Sequence, residues 1–149
     1  MLERLAKESK MLFADIGITK LDASSSVRHA IVITAAGFLV VTAIGYFLGF
    51  RQNAVSYQWL VFYVLISVPL QELVFRGILQ TRLYKLGRNK AIAASSVLYS
   101  AIHFGNPLLL LLTLLAGVFW GYSFSRHTTL IGPVASHAIL GTYLFLFIL

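Results

Sequence analysis

Long apolar runs alternate along this chain with short polar segments rich in lysine and arginine. Apolar runs of about 20 residues match a roughly 30 Å hydrocarbon core at about 1.5 Å rise per residue. Five runs stand out, at residues 30–50, 57–81, 91–104, 108–125 and 130–149. The third is short, so it is expected to stop inside the bilayer or to be covered by neighbours. Ahead of them, residues 1–26 carry both signs of charge. There Leu2, Leu5, Leu12 or Phe13, and Ile16 recur at near-helical spacing, with Lys7 and Lys10 on other faces. This fits an amphipathic helix lying on the membrane, and equally a solvated tail. The predicted fold is all-α: a polytopic transmembrane helical bundle of about five spans (residues 27–149) behind an N-terminal interfacial segment (1–26).

Helix ends are marked. Gly105 can end the third helix, Asn106 can cap the fourth and Pro107 suits its first position. Pro133 falls in the first turn of the fifth. Gly45 with Gly49, and Gly117 with Gly121, have the GxxxG spacing that lets helix backbones approach closely. Packing inside the monomer is the preferred use of both pairs. No signal peptide is expected, because the charged N-terminal region is long and carries acids.

Composition agrees with the pattern. Hydrophobic residues make up 58% of the chain and mean hydropathy is +0.83, more apolar than a soluble domain of this length. The chain has no cysteine, which excludes disulfides and thiolate metal sites and leaves the compartment open. A net charge of +7 would suit nucleic acid. However, the basic residues sit in short segments between the spans, as topology-setting charges do, so no nucleic-acid partner is expected. Arg4, Lys7, Lys10, Lys20, Arg28, Arg82, Lys85, Arg88, Lys90 and Arg126 fall on one side, and only Arg51 on the other. The N-terminus is therefore expected in the cytoplasm and the C-terminus outside.

The polar residues inside the spans carry the chemistry. Glu72 is the one acidic residue after Asp22. A mid-bilayer charge costs on the order of 2.5–3.5 kcal/mol on insertion scales, so it should face the bundle interior. Arg76, four residues on, can neutralise it. His103 lies 13 residues past Lys90, His137 lies 10 past His127, and Glu72 lies 10 before Arg82. All three are then about 15–20 Å from the cytoplasmic helix ends, which predicts one shared site. Pro69 removes a backbone donor one turn before Glu72 and frees the carbonyl of Leu65, so a kink is expected. A buried carboxylate with imidazoles can activate water. The same residues, Glu72, His103 and His137, also form a zinc-type ligand set, although a helical H-E-x-x-H is missing. His29 and His127 fall at helix ends and are expected to be interfacial.

The stretch from Gln71 and Glu72 to Arg76 resembles the E-E-x-x-x-R motif of the CAAX protease and bacteriocin-processing (CPBP or Abi) family of intramembrane endopeptidases. Tyr99 to His103 resembles its F-x-x-x-H motif, and His137 to Gly141 its H-x-x-x-N/B motif. Order, spacing and helix placement agree over residues 57–149. The family includes proteases that remove the last three residues of prenylated CAAX proteins, and bacterial proteins linked to bacteriocin maturation or self-immunity. Some members are described as metalloproteases and others as glutamate-dependent without metal. The resemblance implies that the first motif glutamate and the second-motif histidine activate water, while the third-motif histidine and asparagine steady the oxyanion. Two positions depart from it. Gln71 cannot act as a base, and Gly141 offers no side-chain donor.

The expectation is thus an integral protein of a bacterial plasma membrane that acts as a peptidase on a membrane-embedded or lipid-modified peptide. Glu72, His103 and His137 would be catalytic, and Gln71, Arg76, Tyr99 and Gly141 supporting. Glu72 would be the base or would position His103. The sequence assigns no cofactor with certainty, and a divalent metal such as zinc is compatible. Gln71 and Gly141 favour instead a non-cleaving peptide-binding, immunity or scaffold protein. A proton or ion carrier is the third class, disfavoured because no inverted repeat is evident.

Overall fold

The computed structural model describes residues 15–19, 22–50 and 53–149. The expected amphipathic helix falls mainly on residues 1–14, outside the described ones. Five helical elements follow: α1 (Ala23–Leu48), α2 (Tyr57–Leu86), α3 (Arg88–Ala101), α4 (Pro107–His127) and α5 (Ile131–Phe147). The described residues contain no strand, and the fold is all-α.

Of these, α1, α2 and α4 are long and apolar enough to cross a membrane, at 26, 30 and 21 residues. The apolar α5 is shorter, with 17 residues. At 14 residues, α3 rises only about 21 Å, so it stops within the hydrocarbon thickness. Buried Ser95, Ser96 and Ser100 line it. Their hydroxyls donate to the carbonyls of Ile92 and Leu110 at 2.6–3.0 Å, which satisfies polar groups that lipid could not. Helix ends differ from the apolar boundaries for one reason: solvated polar residues extend a helix beyond its lipid-facing part. Hence α1 begins at Ala23 rather than at residue 30, and α2 continues past Thr81 to Leu86.

Of the expected end signals, Asn106, Pro107 and Pro133 hold, whereas α3 ends at Ala101, ahead of Gly105. The Asn106 side chain accepts from the Leu109 amide at 3.0 Å, and Pro107 opens α4. Gly105, at φ +110°, turns the chain after α3. Pro133 sits in the first turn of α5.

Along α2 the helix is not uniform. Residues Tyr63–Ser67 and Leu73–Gln80 form π-helical turns around an α-helical Val68–Glu72. The Val68 amide donates to the Tyr63 carbonyl, five residues back. A proline at 69 has no amide and would press on the carbonyl four residues earlier; the widened turn just before it makes room for the ring. The Tyr63–Glu72 half of α2 packs on α5, and the Leu73–Gln80 half on α3 and α4. α1 lies along α5, and α3 along α4, so α2 threads the middle of the bundle.

Gly117 and Gly121 make the α4 approach close. A Cβ at Gly117 would lie 3.1 Å from the Ser96 Cβ, and one at Gly121 would lie 2.8 Å from the Gln80 Oε1. This GxxxG pair therefore works inside the chain. In the other pair, Gly45 packs on Phe50 and Ile148, while Gly49 meets nothing. Ile31, Leu39, Phe47, Leu65, Leu111 and Ile139 are exposed, as expected of a surface turned to lipid.

Candidate active site

Glu72 is fully buried, at the end of the α-helical segment between the two π turns of α2. Its Oε1 lies 2.7 Å from the His137 Nδ1, and its Oε2 lies 3.3 Å from the Arg76 Nε. Arg76 is equally buried. It reaches the Gly117 carbonyl with Nη2 at 3.4 Å, and its Cζ sits 4.4 Å over the Tyr99 ring and 5.6 Å from the Trp120 ring. Aromatic faces attract a cation, so the guanidinium is held by a carboxylate, a carbonyl and two rings. Removing either member of such a pair would strand the other charge in an apolar interior.

His137 projects from α5. Its Nδ1 faces a carboxylate, which only accepts, so Nδ1 carries the proton. On the neutral ring, Nε2 then accepts from the Tyr99 hydroxyl at 3.1 Å. The imidazole lies flat on Trp120, with centroids 4.3 Å apart and planes 17° apart. The Trp120 indole N–H donates to the Ser136 Oγ at 3.0 Å, and the Thr34 hydroxyl donates to the same oxygen at 2.9 Å. Residues from α1, α4 and α5 thus fix the plate against which His137 rests.

His103 lies in the turn after α3, not within the helix as the apolar pattern predicts. Its Nδ1 is 3.1 Å from the Tyr99 carbonyl. A carbonyl only accepts, so Nδ1 donates and Nε2 is left as the basic nitrogen. Gln71 donates from Nε2 to the Ser67 Oγ at 2.8 Å, and its Oε1 is buried without a partner.

A cavity of about 550 Å³ joins these groups. Gln71, His103, His137, Tyr99, Tyr63, Ser67 and Gly141 all line it. One stripe of α1, including Val32, Ala36, Gly37 and Val40, and one of α4, including Leu112, Ala116 and Phe119, form its apolar wall. Glu72 and Arg76 do not line it; they stand behind His137 and Tyr99. His29 does line the cavity, and its ring lies 5.6 Å from that of His127.

The sequence expectation of one shared site is therefore met in a different arrangement. Glu72 meets His137 rather than His103, and His103 joins through Tyr99 and the cavity. Arg76 is the partner of Glu72, as expected. Of the two neighbours on α2, it is Gln71 that faces the cavity. The zinc-type set of Glu72, His103 and His137 does not assemble. Among the described residues no three His, Cys, Asp or Glu side chains converge to hold a metal ion, and both Glu72 oxygens face Arg76 and His137. Five residues of the site, Thr34 among them, carry no motif in the sequence. Tyr63 and Ser67 lie eight and four residues before Gln71, a polar stripe visible in retrospect. Trp120 and Ser136 carry no signal in an apolar run.

A family model described as type II CAAX prenyl endopeptidase Rce1-like matches residues 52–143. The chain belongs to this family. No curated protein and no solved structure matches the chain. Family membership agrees with the apolar helices in making the chain an integral membrane protein, and it places the fold among CAAX-type intramembrane endopeptidases. The matched stretch runs from before α2 into α5 and contains every polar residue of the site described above except His29 and Thr34. It leaves out α1, which supplies one apolar wall of the cavity.

Proposed function

We propose that the chain is an intramembrane endopeptidase that cleaves a lipid-modified peptide held in the cavity between α1, α2, α4 and α5. The observation that carries this is the cavity itself, which sets Gln71, His103 and His137 at one side of a long apolar wall. From Val32 to Val40 that wall extends about 12 Å along α1, enough to bury much of a prenyl chain at about 0.8 kcal/mol per methylene. The Gln71 Oε1 holds the attacking water. The His103 Nε2 takes its proton as the water oxygen bonds to the scissile carbonyl carbon. That proton then passes to the leaving nitrogen as the C–N bond breaks. Glu72 is a positioning residue: it fixes His137, whose Nε2 in turn holds the Tyr99 hydroxyl at the cavity wall. In this reading the membrane is a bacterial plasma membrane, and the Lys and Arg asymmetry of the segments between spans supports a cytoplasmic N-terminus.

The test uses purified protein in proteoliposomes and an internally quenched, farnesylated peptide ending in a CAAX tetrad. Wild type should cleave it, and His103→Ala should lose about 100-fold or more in rate. Cleavage should persist in EDTA, because the donors do not converge on a metal. Equal rates for wild type and His103→Ala would reject the mechanism.

One observation favours a second reading. Gln71, facing the cavity, cannot take a proton, so the same pocket could bind a lipid-modified peptide without cutting it, as an immunity or scaffold protein would. Binding without cleavage by wild type, with cleavage gained in Gln71→Glu, would establish it.

A further inference from the structure

Tyr63 is buried, opens the first π turn of α2 and lines the cavity. Its ring is clamped. It stacks on Trp59 at 5.0 Å with planes 5° apart, meets Phe145 edge-on at 5.6 Å, and lies 6.2 Å from the His137 ring. Among the described residues its hydroxyl has no hydrogen-bond partner. The hydroxyl is open to the cavity rather than sealed in the core, so a ligand held there can supply the partner that a tyrosine hydroxyl ordinarily finds. The hydroxyl lies directly over Gly141. A Cβ there would overlap the phenol oxygen and come within 2.8 Å of Cζ and 3.2 Å of Cε1. Gly141 is thus more than a lost donor: it is the residue that leaves room for this hydroxyl, one helical turn from His137.

We propose that the Tyr63 hydroxyl is a catalytic residue that donates a hydrogen bond to the oxygen of the scissile carbonyl, strengthening as that oxygen becomes negative, in a place that only glycine at 141 leaves open. This rests on the peptidase reading above. A phenol is a suitable donor, because no proton is transferred and the hydrogen bond shortens as charge develops.

The test compares wild type, Tyr63→Phe, Gly141→Ala and the double variant Y63F/G141N in proteoliposomes. The probes are two farnesylated peptides, one with the ordinary amide and one with a phosphinate in its place, which mimics the tetrahedral anion. Tyr63→Phe should lower kcat by about 100-fold with KM changed less than about threefold. It should also weaken phosphinate binding at least tenfold while leaving amide binding alone. Gly141→Ala should show the same losses with the phenol still present, since it displaces the hydroxyl. The double variant should regain nothing over Tyr63→Phe, because the clamped ring carbon Cζ, 2.8 Å from a Cβ at 141, still leaves no room for an amide donor. If wild type cleaves and Tyr63→Phe matches it in kcat and phosphinate affinity, the role of Tyr63 is overturned and the peptidase reading stands. If wild type does not cleave yet prefers the phosphinate through Tyr63, only the cleavage reading falls. If wild type holds neither peptide, both fall.

Discussion

A buried carboxylate can serve chemistry directly or hold the group that does. In the proposed reaction Glu72 is of the second kind. Its two oxygens face the His137 ring nitrogen and the Arg76 guanidinium, and neither opens to the cavity. This arrangement gives a signature that a catalytic base would not. Glu72→Ala leaves Arg76 charged and buried, and should cost about 3–5 kcal/mol of stability. The double variant with Arg76→Met should recover much of that loss, because no isolated charge remains. Thermal or denaturant unfolding in detergent reads both, and additive losses would refute the pairing.

The element that decides the site is α2. Its turn before Pro69 is widened, and its turn after Glu72 is widened again. Between them, Gln71 faces the cavity while Glu72, about 100° further round an ideal helix, faces Arg76 and His137. π turns occur often at functional sites, and here proline supplies the local cause. Pro69→Ala restores the missing backbone donor, so α2 should return toward regular i→i−4 bonding. Stability should hold or rise, because a residue that favours helix replaces one that does not. The turn carrying Tyr63 and Ser67 should shift against Gln71, with kcat falling about tenfold to 100-fold from misplacement. Unfolding and peptide cleavage measured on the same preparation separate the two effects. A variant with unchanged kcat would show that the widened turn is incidental.

At the scale of the molecule, polar groups gather at one side of the cavity and apolar residues from α1 and α4 form the other. That division predicts substrate choice. Ala36 lines the apolar wall and is exposed to the cavity side of α1. Ala36→Phe should narrow the wall and raise KM for a farnesylated peptide about tenfold, with kcat nearly unchanged. The same peptide without its lipid should be indifferent to the change. Equal effects on both peptides would show that the wall does not hold the lipid chain.

Much of this was legible along the chain. Twenty-residue apolar runs have no stable home but a bilayer, and an apolar phase requires helices, so class and number of elements follow from the pattern alone. The cost of charge in that phase made Glu72, Arg76, His103 and His137 visible as a site, and the motif spacing agreed with the family shown by residues 52–143. Contact was another matter. Which histidine meets Glu72 depends on how α2, α3 and α5 cross, and on two widened turns that no periodicity reveals. The sequence presented Gly141 as a missing donor. Only the packed bundle shows a tyrosine hydroxyl standing over it, because that closeness joins residues 78 positions apart. Depth in the membrane is a property of each helix and is written in composition; mutual facing is a property of the assembled helices and is decided by packing.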